Sequence, residues 1–392
     1  MNIKRRHFLQ LAGSTVASFG LSQFNIEQAN IYGKVLAQST SRKVALLVGI
    51  NKYSDIPLYG CLNDVDLQRY LLQYRFGFNK EDIHILTDEF ATRQGILEAF
   101  EEYLINQTKP GDVVVFHYSG HGSRVFDPDP IVPEPGKKTG LNSTFVPIDS
   151  PLPVGFPQKG GVVKDIMGHT LFLLMSAVKS EYFTAVLDSC HSGGAARDIL
   201  VRARDGGKNI RISPEEKYYQ EKWLSKLNMN RSKFVEEYRK EVAKGVVMAA
   251  TQSDQLAVDA RNNGFSAGAF TYPLTQYLWQ QTSTPESAVA YITQKIPKDF
   301  FQTPHYEVKN GYQNKPIYFL DRLNPPANAV VTQVTGNQAT IWLGSVNLEE
   351  LEQGTVFNIV GTTGKVTYQS RKGLLGTVTV QGTVKEGMLL RV

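Results

Sequence analysis

The chain of 392 residues is poor in cysteine and lacks long apolar runs, and each scarcity excludes a class of protein. Two cysteines cannot build the disulfide scaffold of a small secreted protein. A composition that is 42% apolar and 20% charged is too hydrophobic for a disordered chain and too polar for a bundle of membrane helices. Internal repeats and collagen-like composition are also absent. The length therefore indicates two or three globular domains with a substantial core.

The net charge is small, and much of it lies at the amino terminus. Residues 1–37 hold four basic residues against Glu27, which gives +3 of the total +5 and leaves only +2 for the rest. The order Arg5-Arg6-His7-Phe8-Leu9, followed by a short apolar run, resembles a twin-arginine export signal with cleavage after Ala37. We predict export to the periplasm or an equivalent space. A cytoplasmic protein, or an uncleaved leader on a membrane, is the alternative. The residual charge predicts no nucleic-acid partner.

From Arg42 onward, apolar strands alternate with amphipathic helices. Helices are predicted from Asn63 to about Tyr74 and, with Thr92 as the cap, to about Asn106. Continuous apolar runs, typical of strands buried on both faces, predict six strands: 44–50, 83–86, 113–116, 183–187, 246–248 and 317–320. This alternation predicts an α/β fold with a mainly parallel six-stranded sheet flanked by helices.

Three further stretches complete the organisation of the chain. Residues 124–161 are rich in proline and glycine and predict a surface loop. Residues 197–211 hold five basic residues around two glycines and predict an exposed, flexible segment. After the linker Asn324-Pro325-Pro326, residues 327–392 have short β-type runs broken by glycines, which predict a small all-β module, either a barrel or a sandwich.

Reactive residues follow two of the predicted strands. The third strand ends in His117-Tyr118-Ser119-Gly120-His121-Gly122, and the fourth in Asp188-Ser189-Cys190-His191-Ser192-Gly193. The carboxyl ends of parallel strands form the ligand-binding edge of such sheets, and a thiol needs a base such as imidazole to become a strong nucleophile. His191 neighbours Cys190 and points away from it, and His117 lies inside its strand. We therefore predict Cys190 as the nucleophile, His121 as the general base, and the amides of Gly122 and Cys190 as an oxyanion hole.

These two motifs together resemble the catalytic motifs of metacaspases and of their bacterial relatives, the orthocaspases. The segments Gly60-Cys61-Leu62-Asn63-Asp64 and Gly268-Ala269-Phe270-Thr271 are also similar to that family. The resemblance covers about residues 43–320, and it implies a caspase-like peptidase domain at 42–322. Within that domain it implies a large-subunit part at about 42–200, a basic linker at about 197–244 and a small-subunit part at about 245–322.

The resemblance implies a cysteine endopeptidase that cuts after Arg or Lys in protein and peptide substrates. Cys61, Asp64, Ser119 and Asp188 would line the S1 pocket, and two carboxylates there would favour a cationic side chain. Asp64 could instead cap the first helix, and Asp188 the turn after its strand. We expect a monomer.

The resemblance further implies two regulatory properties. Members of the family often mature by self-cleavage between the two subunit parts, and the basic linker at 197–244 offers many sites without indicating which bond is cut. Many metacaspases bind calcium through a carboxylate cluster. Here Val163-Lys164-Asp165 stands where an acidic pair is expected, and Asn142 near another expected ligand, although Asp198 remains. We expect no metal site among the named residues, no cofactor and no calcium requirement, with calcium binding left as the alternative.

Two other classes of protein compete with this interpretation. Gly264-Phe265-Ser266-Ala267-Gly268 fits the nucleophile elbow of a serine hydrolase, but the residues before it indicate a turn rather than the strand that an elbow needs. A catalytically silent caspase-fold scaffold or binding protein is the alternative from another class. The presence of both Cys190 and His121 favours the enzyme.

Overall fold

The computed structural model describes residues 41–128, 130–131, 140–190, 200–204, 206–253 and 255–392. The predicted leader at residues 1–37 lies outside this described part, and so do His191, Arg197 and Asp198. The helices are α1 (Cys61–Tyr70), α2 (Arg93–Ala99), α3 (Gly168–Ala177), α4 (Pro214–Lys226), α5 (Arg231–Lys240), α6 (Thr271–Gln280) and α7 (Pro285–Lys295). The strands are β1 (Lys43–Gly49), β2 (Ile83–Thr87), β3 (Val113–Ser119), β4 (Gly122–Asp127), β5 (Gly140–Phe145), β6 (Gly161–Val163), β7 (Ile166–Met167), β8 (Phe183–Asp188), β9 (Gly207–Ile212), β10 (Val246–Ala249), β11 (Asp259–Asn262), β12 (Phe265–Gly268), β13 (His305–Val308), β14 (Ala329–Thr335), β15 (Gln338–Trp342), β16 (Val356–Ile359), β17 (Lys365–Lys372), β18 (Leu375–Gln381) and β19 (Leu389–Arg391).

A six-stranded sheet in the order β13-β10-β8-β3-β1-β2 forms the centre of the protein. Its strands are parallel except β13, which pairs antiparallel with β10. Every residue of β3 and β8 is buried, as their continuous apolar runs predict for strands covered on both faces. The prediction of a mainly parallel, six-stranded α/β sheet is therefore confirmed.

The sixth strand is not the one predicted. Residues 317–320 form a turn, and β13 at the sheet edge is the sixth strand. The apolar run 317–320 is buried because it packs in the core, whereas β13 alternates between exposed and half-buried residues as an edge strand does. The apolar run at 317–320 correctly predicts a buried segment, but apolarity alone does not distinguish a buried strand from a buried turn.

The two predicted helices are present with shifted bounds. The first begins at Cys61 rather than Asn63, and beyond α1 it continues as a π-helix over Leu71–Arg75. Asn63 does not cap it, because its amide donates to the Ser266 carbonyl (2.7 Å). The Thr92 hydroxyl does cap α2, since it accepts from the Gly95 amide at 3.0 Å.

The predicted surface loop at 124–161 is wrong in part, since two stretches of it are strands, whereas residues 146–160 are irregular as predicted. The strands β4 and β5 pair with each other there and belong to a second sheet in the order β6-β9-β4-β5-β7. A further hairpin, β11 and β12, turns at Asn263-Gly264. The elbow-like segment Gly264–Gly268 thus consists of a turn glycine and the second strand of this hairpin, and it lacks the strand-to-helix turn of a serine hydrolase.

The carboxyl-terminal module is a closed barrel in the order β14-β15-β18-β17-β16-β19, which confirms the prediction of a small all-β module. Its buried residues share one apolar core with one face of the central sheet. Trp342 of the barrel packs its ring 5.7 Å from that of Trp279 on α6 and 4.9 Å from that of Tyr70 on α1. Within the described residues, no helix combines the length and the apolarity that a membrane span requires.

Candidate active site

The predicted catalytic residues follow two neighbouring strands of the central sheet. Strands β3 and β8 are parallel and in register, so that Ser119 lies opposite Asp188 where both strands end. His121 follows β3 by two residues and Cys190 follows β8 by two residues, and both are about 1% exposed. The Cys190 thiol and the His121 imidazole therefore lie at the same edge of the central sheet.

The His121 ring is held by tyrosines and by one carbonyl. The Tyr53 hydroxyl accepts from the His121 amide (3.0 Å), and the two ring centroids are 4.4 Å apart. The Tyr118 hydroxyl donates to the His121 carbonyl (2.9 Å). The Nε2 atom lies 2.7 Å from the Ile56 carbonyl oxygen, so Nε2 carries the proton, and Nδ1 has no hydrogen-bond partner within the described part of the chain. The tautomer that results presents Nδ1 as the basic nitrogen.

The thiol of Cys190 lies against a short segment from the small-subunit part. Its Sγ accepts a hydrogen bond from the Ala257 amide (2.8 Å) and lies 3.6 Å from the carbonyl of the same residue. Burial raises the pKa of the Cys190 thiol to about 12, with the Ala257 hydrogen bond opposing it. Burial also lowers the pKa of His121 to about 4. With the site covered in this way, thiol and imidazole are both neutral near pH 7.

The two predicted oxyanion-hole amides converge on one carbonyl oxygen. The amide of Gly122 donates to the Arg202 carbonyl at 2.9 Å, and the amide of Cys190 donates to the same oxygen at 3.2 Å. Gly122 cannot carry a side chain, because a Cβ atom there would lie 1.7 Å from the Cys190 carbonyl oxygen. These two donors are thus pre-positioned to bind a carbonyl oxygen beside the thiol.

The side chain of Arg202 fills a buried pocket among the predicted S1 residues. Its guanidinium lies 2.7 Å from the Asp64 carboxylate, 3.1 Å from the Asp188 carboxylate and 2.7 Å from the Ser119 hydroxyl. Cys61, the first residue of α1, is completely buried beside them, and burial raises the pKa of its thiol although the Arg202 charge opposes this. The structure brings all four predicted S1 residues around one cation.

A third carboxylate, that of Asp259, completes the pocket. It lies 2.8 Å from the Arg202 guanidinium, and it accepts hydrogen bonds from the amides of Tyr59 (2.7 Å) and Gly60 (3.0 Å). The sequence prediction missed Asp259 because residues 259–263 were interpreted as a turn. The dipeptide Asn263-Gly264 favours a two-residue hairpin, so it could have placed Asp259 on a strand.

Neither Asp64 nor Asp188 takes the capping role that was the alternative. Asp64 is buried inside α1, accepts from the Ser119 hydroxyl (2.7 Å) and accepts from the Gly268 amide (3.0 Å). Asp188 accepts from the amide (3.0 Å) and the hydroxyl (2.6 Å) of Thr271, at the amino terminus of α6, where an anion is stabilised. Burial, with the Asp188 charge adding to it and the Arg202 charge opposing it, raises the pKa of Asp64 to about 7. A carboxyl with a raised pKa depends on a nearby cation to stay ionised, so the pocket favours a cationic side chain beside Asp64, Asp188 and Asp259.

The prediction of an exposed, flexible basic segment at 197–211 is wrong for part of its described residues, although Lys208 and Arg211 are exposed. Arg202 and Arg204 are both buried, at 0% and 3% exposure, and residues 207–240 form β9, α4 and α5. Arg204 pairs with the Asp165 carboxylate at 2.6 Å. Arg202 and Arg204 are buried because carboxylates neutralise them, an effect that composition alone does not reveal.

The carboxylate expected near a calcium site is used in that ion pair. Asp165 also accepts from the hydroxyls of Thr144 (2.6 Å) and Ser150 (2.6 Å), and Lys164 lies 3.8 Å from the Asp149 carboxylate. Over the described residues, no group of three or more His, Cys, Asp or Glu side chains is arranged to hold a metal ion. The donor set around Asp165 therefore does not fit a divalent cation.

Comparison with known proteins identifies the family of this chain. Residues 42–320 match the family model described as the caspase domain. Among solved structures, protein GSU0716 from Geobacter sulfurreducens aligns at 21% identity and a TM-score of 0.47, covering 71% of this chain and 99% of that chain. Caspase-1 from Spodoptera frugiperda aligns at 12% identity and a TM-score of 0.38, covering 72% and 88%. Because the family model covers more than half of the chain, the chain belongs to the caspase-domain family of peptidases.

Within that family the chain is similar to the metacaspases. It is 37% identical over 169 residues to Metacaspase-1 of Meyerozyma guilliermondii, covering 41% of this chain and 37% of that protein. It is 28% identical over 273 residues to Metacaspase-1 of Schizosaccharomyces pombe, covering 67% and 56%. The chain thus spans from about a third to just over half of the length of these relatives.

Proposed function

We propose that the protein is a cysteine endopeptidase that cuts peptide bonds after Arg or Lys. The observation that carries this proposal is the pocket beside Cys190, where the carboxylates of Asp64, Asp188 and Asp259 surround one guanidinium. A buried anionic pocket favours a cationic side chain and repels an acidic one, because an anion there would be both desolvated and opposed by like charges.

The proposed mechanism is acyl transfer by a Cys–His dyad. Once the site is uncovered, Nδ1 of His121 takes the Cys190 proton, and the thiolate attacks the carbonyl carbon of the Arg or Lys residue. The amides of Gly122 and Cys190 hold the oxyanion. His121 then protonates the leaving amine, and water hydrolyses the thioester with His121 as the base.

Hydrolysis of fluorogenic peptides tests the proposal. We expect peptides ending in Arg or Lys to be cleaved and peptides ending in Asp to be cleaved at least a hundredfold more slowly. Cys190→Ala and His121→Ala should abolish hydrolysis, whereas His305→Ala, at an exposed histidine on the edge strand, should retain it. If Arg and Lys peptides stay intact, even after trypsin nicks residues 206–244, the catalytically silent scaffold is the better description.

We also propose that the activity needs no calcium and that the protein is a monomer without a nucleic-acid partner. The Asp165 carboxylate supports the first point, because Arg204 and two hydroxyls already satisfy it. A chelator should leave peptide hydrolysis unchanged. Hydrolysis that a chelator abolishes and added calcium restores would contradict this proposal, and sedimentation at micromolar concentration would test the oligomeric state.

We further propose that residues 1–37 direct export as a twin-arginine-type signal peptide. The support is the order Arg5-Arg6-His7-Phe8-Leu9 before a short apolar run. Amino-terminal sequencing of the protein from its native host should begin at Gln38, and replacement of Arg5 and Arg6 by Lys should block export. A mature protein that begins at Met1 would contradict cleavage.

A further inference from the structure

We propose that the enzyme cuts its own chain between Arg202 and Ala203, and that residues 200–204 occupy the substrate site until that bond is broken. This inference rests on the proposed function and names one substrate of the same site. It goes beyond a general expectation of self-cleavage in the basic linker, because it identifies the bond and the way in which the bond is presented.

The first argument is that Arg202 satisfies two recognition elements at once. Its side chain lies in the S1 pocket, while its carbonyl oxygen accepts from the amides of Gly122 (2.9 Å) and Cys190 (3.2 Å). A residue that merely neutralised buried carboxylates would not need its own carbonyl in the oxyanion hole. Occupation of both places defines the residue before the scissile bond of a peptide substrate.

The second argument is that the backbone before this bond is bound as an extended strand. Residues 200–202 run antiparallel to 257–259, with Val201 opposite Val258. The Arg202 amide donates to the Ala257 carbonyl at 2.8 Å, and the Asp259 amide donates to the Leu200 carbonyl at 2.9 Å. An added strand at the edge of a site is a common mode of peptide recognition, because main-chain hydrogen bonds fix the register.

The third argument is that the backbone after the bond is also anchored. Ala203 lies opposite Gly122 in a parallel bridge, and the Arg204 amide donates to the Gly122 carbonyl at 2.8 Å. The Arg204 side chain pairs with Asp165 at 2.6 Å. The Arg202–Ala203 bond is thus held on both sides, which limits the motion of the reacting carbonyl relative to Cys190.

The basic residues that follow Arg202, up to the end of β9, do not meet these conditions. Arg204 is directed to Asp165, away from the S1 carboxylates. Lys208 and Arg211 are exposed on β9, and Arg211 lies over the Phe126 ring at 5.7 Å. The geometry therefore selects Arg202, and it indicates a substrate class with an apolar β-branched residue before the arginine and a small residue after it.

The reaction consumes one water and needs no other reactant. The Cys190 thiolate attacks the Arg202 carbonyl carbon, with its proton on His121. The bond to the Ala203 nitrogen then breaks, the nitrogen takes the proton from His121, and a thioester joins Cys190 to Arg202. Water hydrolyses the thioester and leaves a carboxylate on Arg202 and a free amine on Ala203. Departure of the two new ends uncovers the site for other substrates.

Incubation of the purified full chain, followed by intact mass and amino-terminal sequencing, tests this inference. We expect a fragment that begins at Ala203, formed with a rate constant independent of protein concentration, and a parallel rise in hydrolysis of a Val-Arg fluorogenic peptide. Cys190→Ala should give no fragment, and Arg202→Gln should slow formation of this end by at least about a hundredfold. The matched double variant Lys208→Gln, Arg211→Gln removes two exposed basic residues and should still yield Ala203.

A second variant guards against misfolding of Arg202→Gln. Ala203→Pro keeps the arginine in its pocket but places a ring at the leaving nitrogen, and it should stay uncut while its circular dichroism matches that of Cys190→Ala. Peptide hydrolysis that depends on Cys190, with no new end at Ala203 or with a rate proportional to protein concentration, would overturn this inference and leave the proposed function intact. Absence of peptide hydrolysis as well, even after trypsin nicking, would overturn the proposed function.

Discussion

Two arginines of one short segment, Arg202 and Arg204, are buried in different ways. The Arg202 guanidinium contacts three carboxylates, and its carbonyl oxygen accepts from two amides beside the Cys190 thiol. Arg204 meets the single carboxylate of Asp165 and donates a further hydrogen bond to the Ser150 carbonyl. The Arg204 site is a balanced pair whose charges cancel, whereas the Arg202 site has an excess of anionic groups. A pocket with an excess of carboxylates favours a cationic occupant over a neutral or acidic one, and this is the property that a pocket for Arg or Lys requires.

The excess of carboxylates predicts that the two arginines contribute unequally to stability. Removing Arg202 leaves three desolvated carboxylates without a counterion, so Arg202→Met in a Cys190→Ala background should lower the free energy of unfolding by about 3–5 kcal/mol. Arg204→Met leaves Asp165 with two hydroxyl donors, so the loss there should be about 1–3 kcal/mol.

Urea unfolding followed by circular dichroism measures both losses, and the uncut background keeps the chain length equal. Arg202→Lys is the matched control, because it retains a cation in the pocket and should recover part of the loss. Equal losses in the free energy of unfolding for Arg202→Met and Arg204→Met would contradict the predicted difference between the two sites. They would mean that the additional carboxylates around Arg202 are not held in the charged form.

The next effect concerns catalysis by the cleaved enzyme. Asp188→Asn removes one S1 carboxylate but preserves the size of the side chain, and it should lower kcat/KM for an Arg peptide by about a hundredfold, or about 2.7 kcal/mol. Asp165→Asn is its counterpart at the Arg204 site. A short fluorogenic peptide has no residue that reaches Asp165, so kcat/KM should change less than tenfold, while the rate of self-cleavage should fall.

Peptides ending in Arg and Asp, assayed at saturating and limiting concentrations, distinguish binding from chemistry in these variants. If Asp188→Asn left the preference for Arg unchanged, the pocket around Arg202 would not be the S1 site. If Asp165→Asn and Asp188→Asn lowered peptide hydrolysis equally, the distinction between the two arginine sites would fail.

The same comparison explains which parts of the site could be predicted from sequence. Cys190, His121 and the two carboxylates Asp64 and Asp188 lie on or next to elements whose apolar patterns are unambiguous, so their convergence at one sheet edge follows from parallel pairing. Arg202 could not be placed. Its burial depends on carboxylates that are distant in sequence, such as Asp64 and Asp259, 138 and 57 residues away along the chain. Local composition, by contrast, describes a basic, glycine-rich run as exposed.

The errors in the fold have the same origin. The sequence predicts the sixth strand at 317–320, whereas the structure has it at β13. An apolar run indicates burial, and residues 317–320 are buried without forming a strand. The strands β4 and β5 were missed because proline and glycine flank them, although they pair across a hairpin. Long-range pairing, rather than local propensity, determined these elements.

The smallest expected effect concerns the general base, and here Arg204 should matter more than Arg202. Burial lowers the pKa of His121 to about 4, and the positive charge of Arg204, and then that of Arg202, add to this effect. In the uncut Cys190→Ala protein, Arg204→Gln should therefore raise the His121 pKa more than Arg202→Gln does, as ring-proton NMR titration would measure. A larger pKa rise in Arg202→Gln would contradict the assignment of Arg202 to the pocket and of Arg204 to the surroundings of His121.

The depressed pKa of His121 also makes stability depend on pH. Because the folded pKa lies below its ordinary value, the unfolded chain binds more protons between about pH 6.5 and 4, so acidification through this window destabilises the uncut protein.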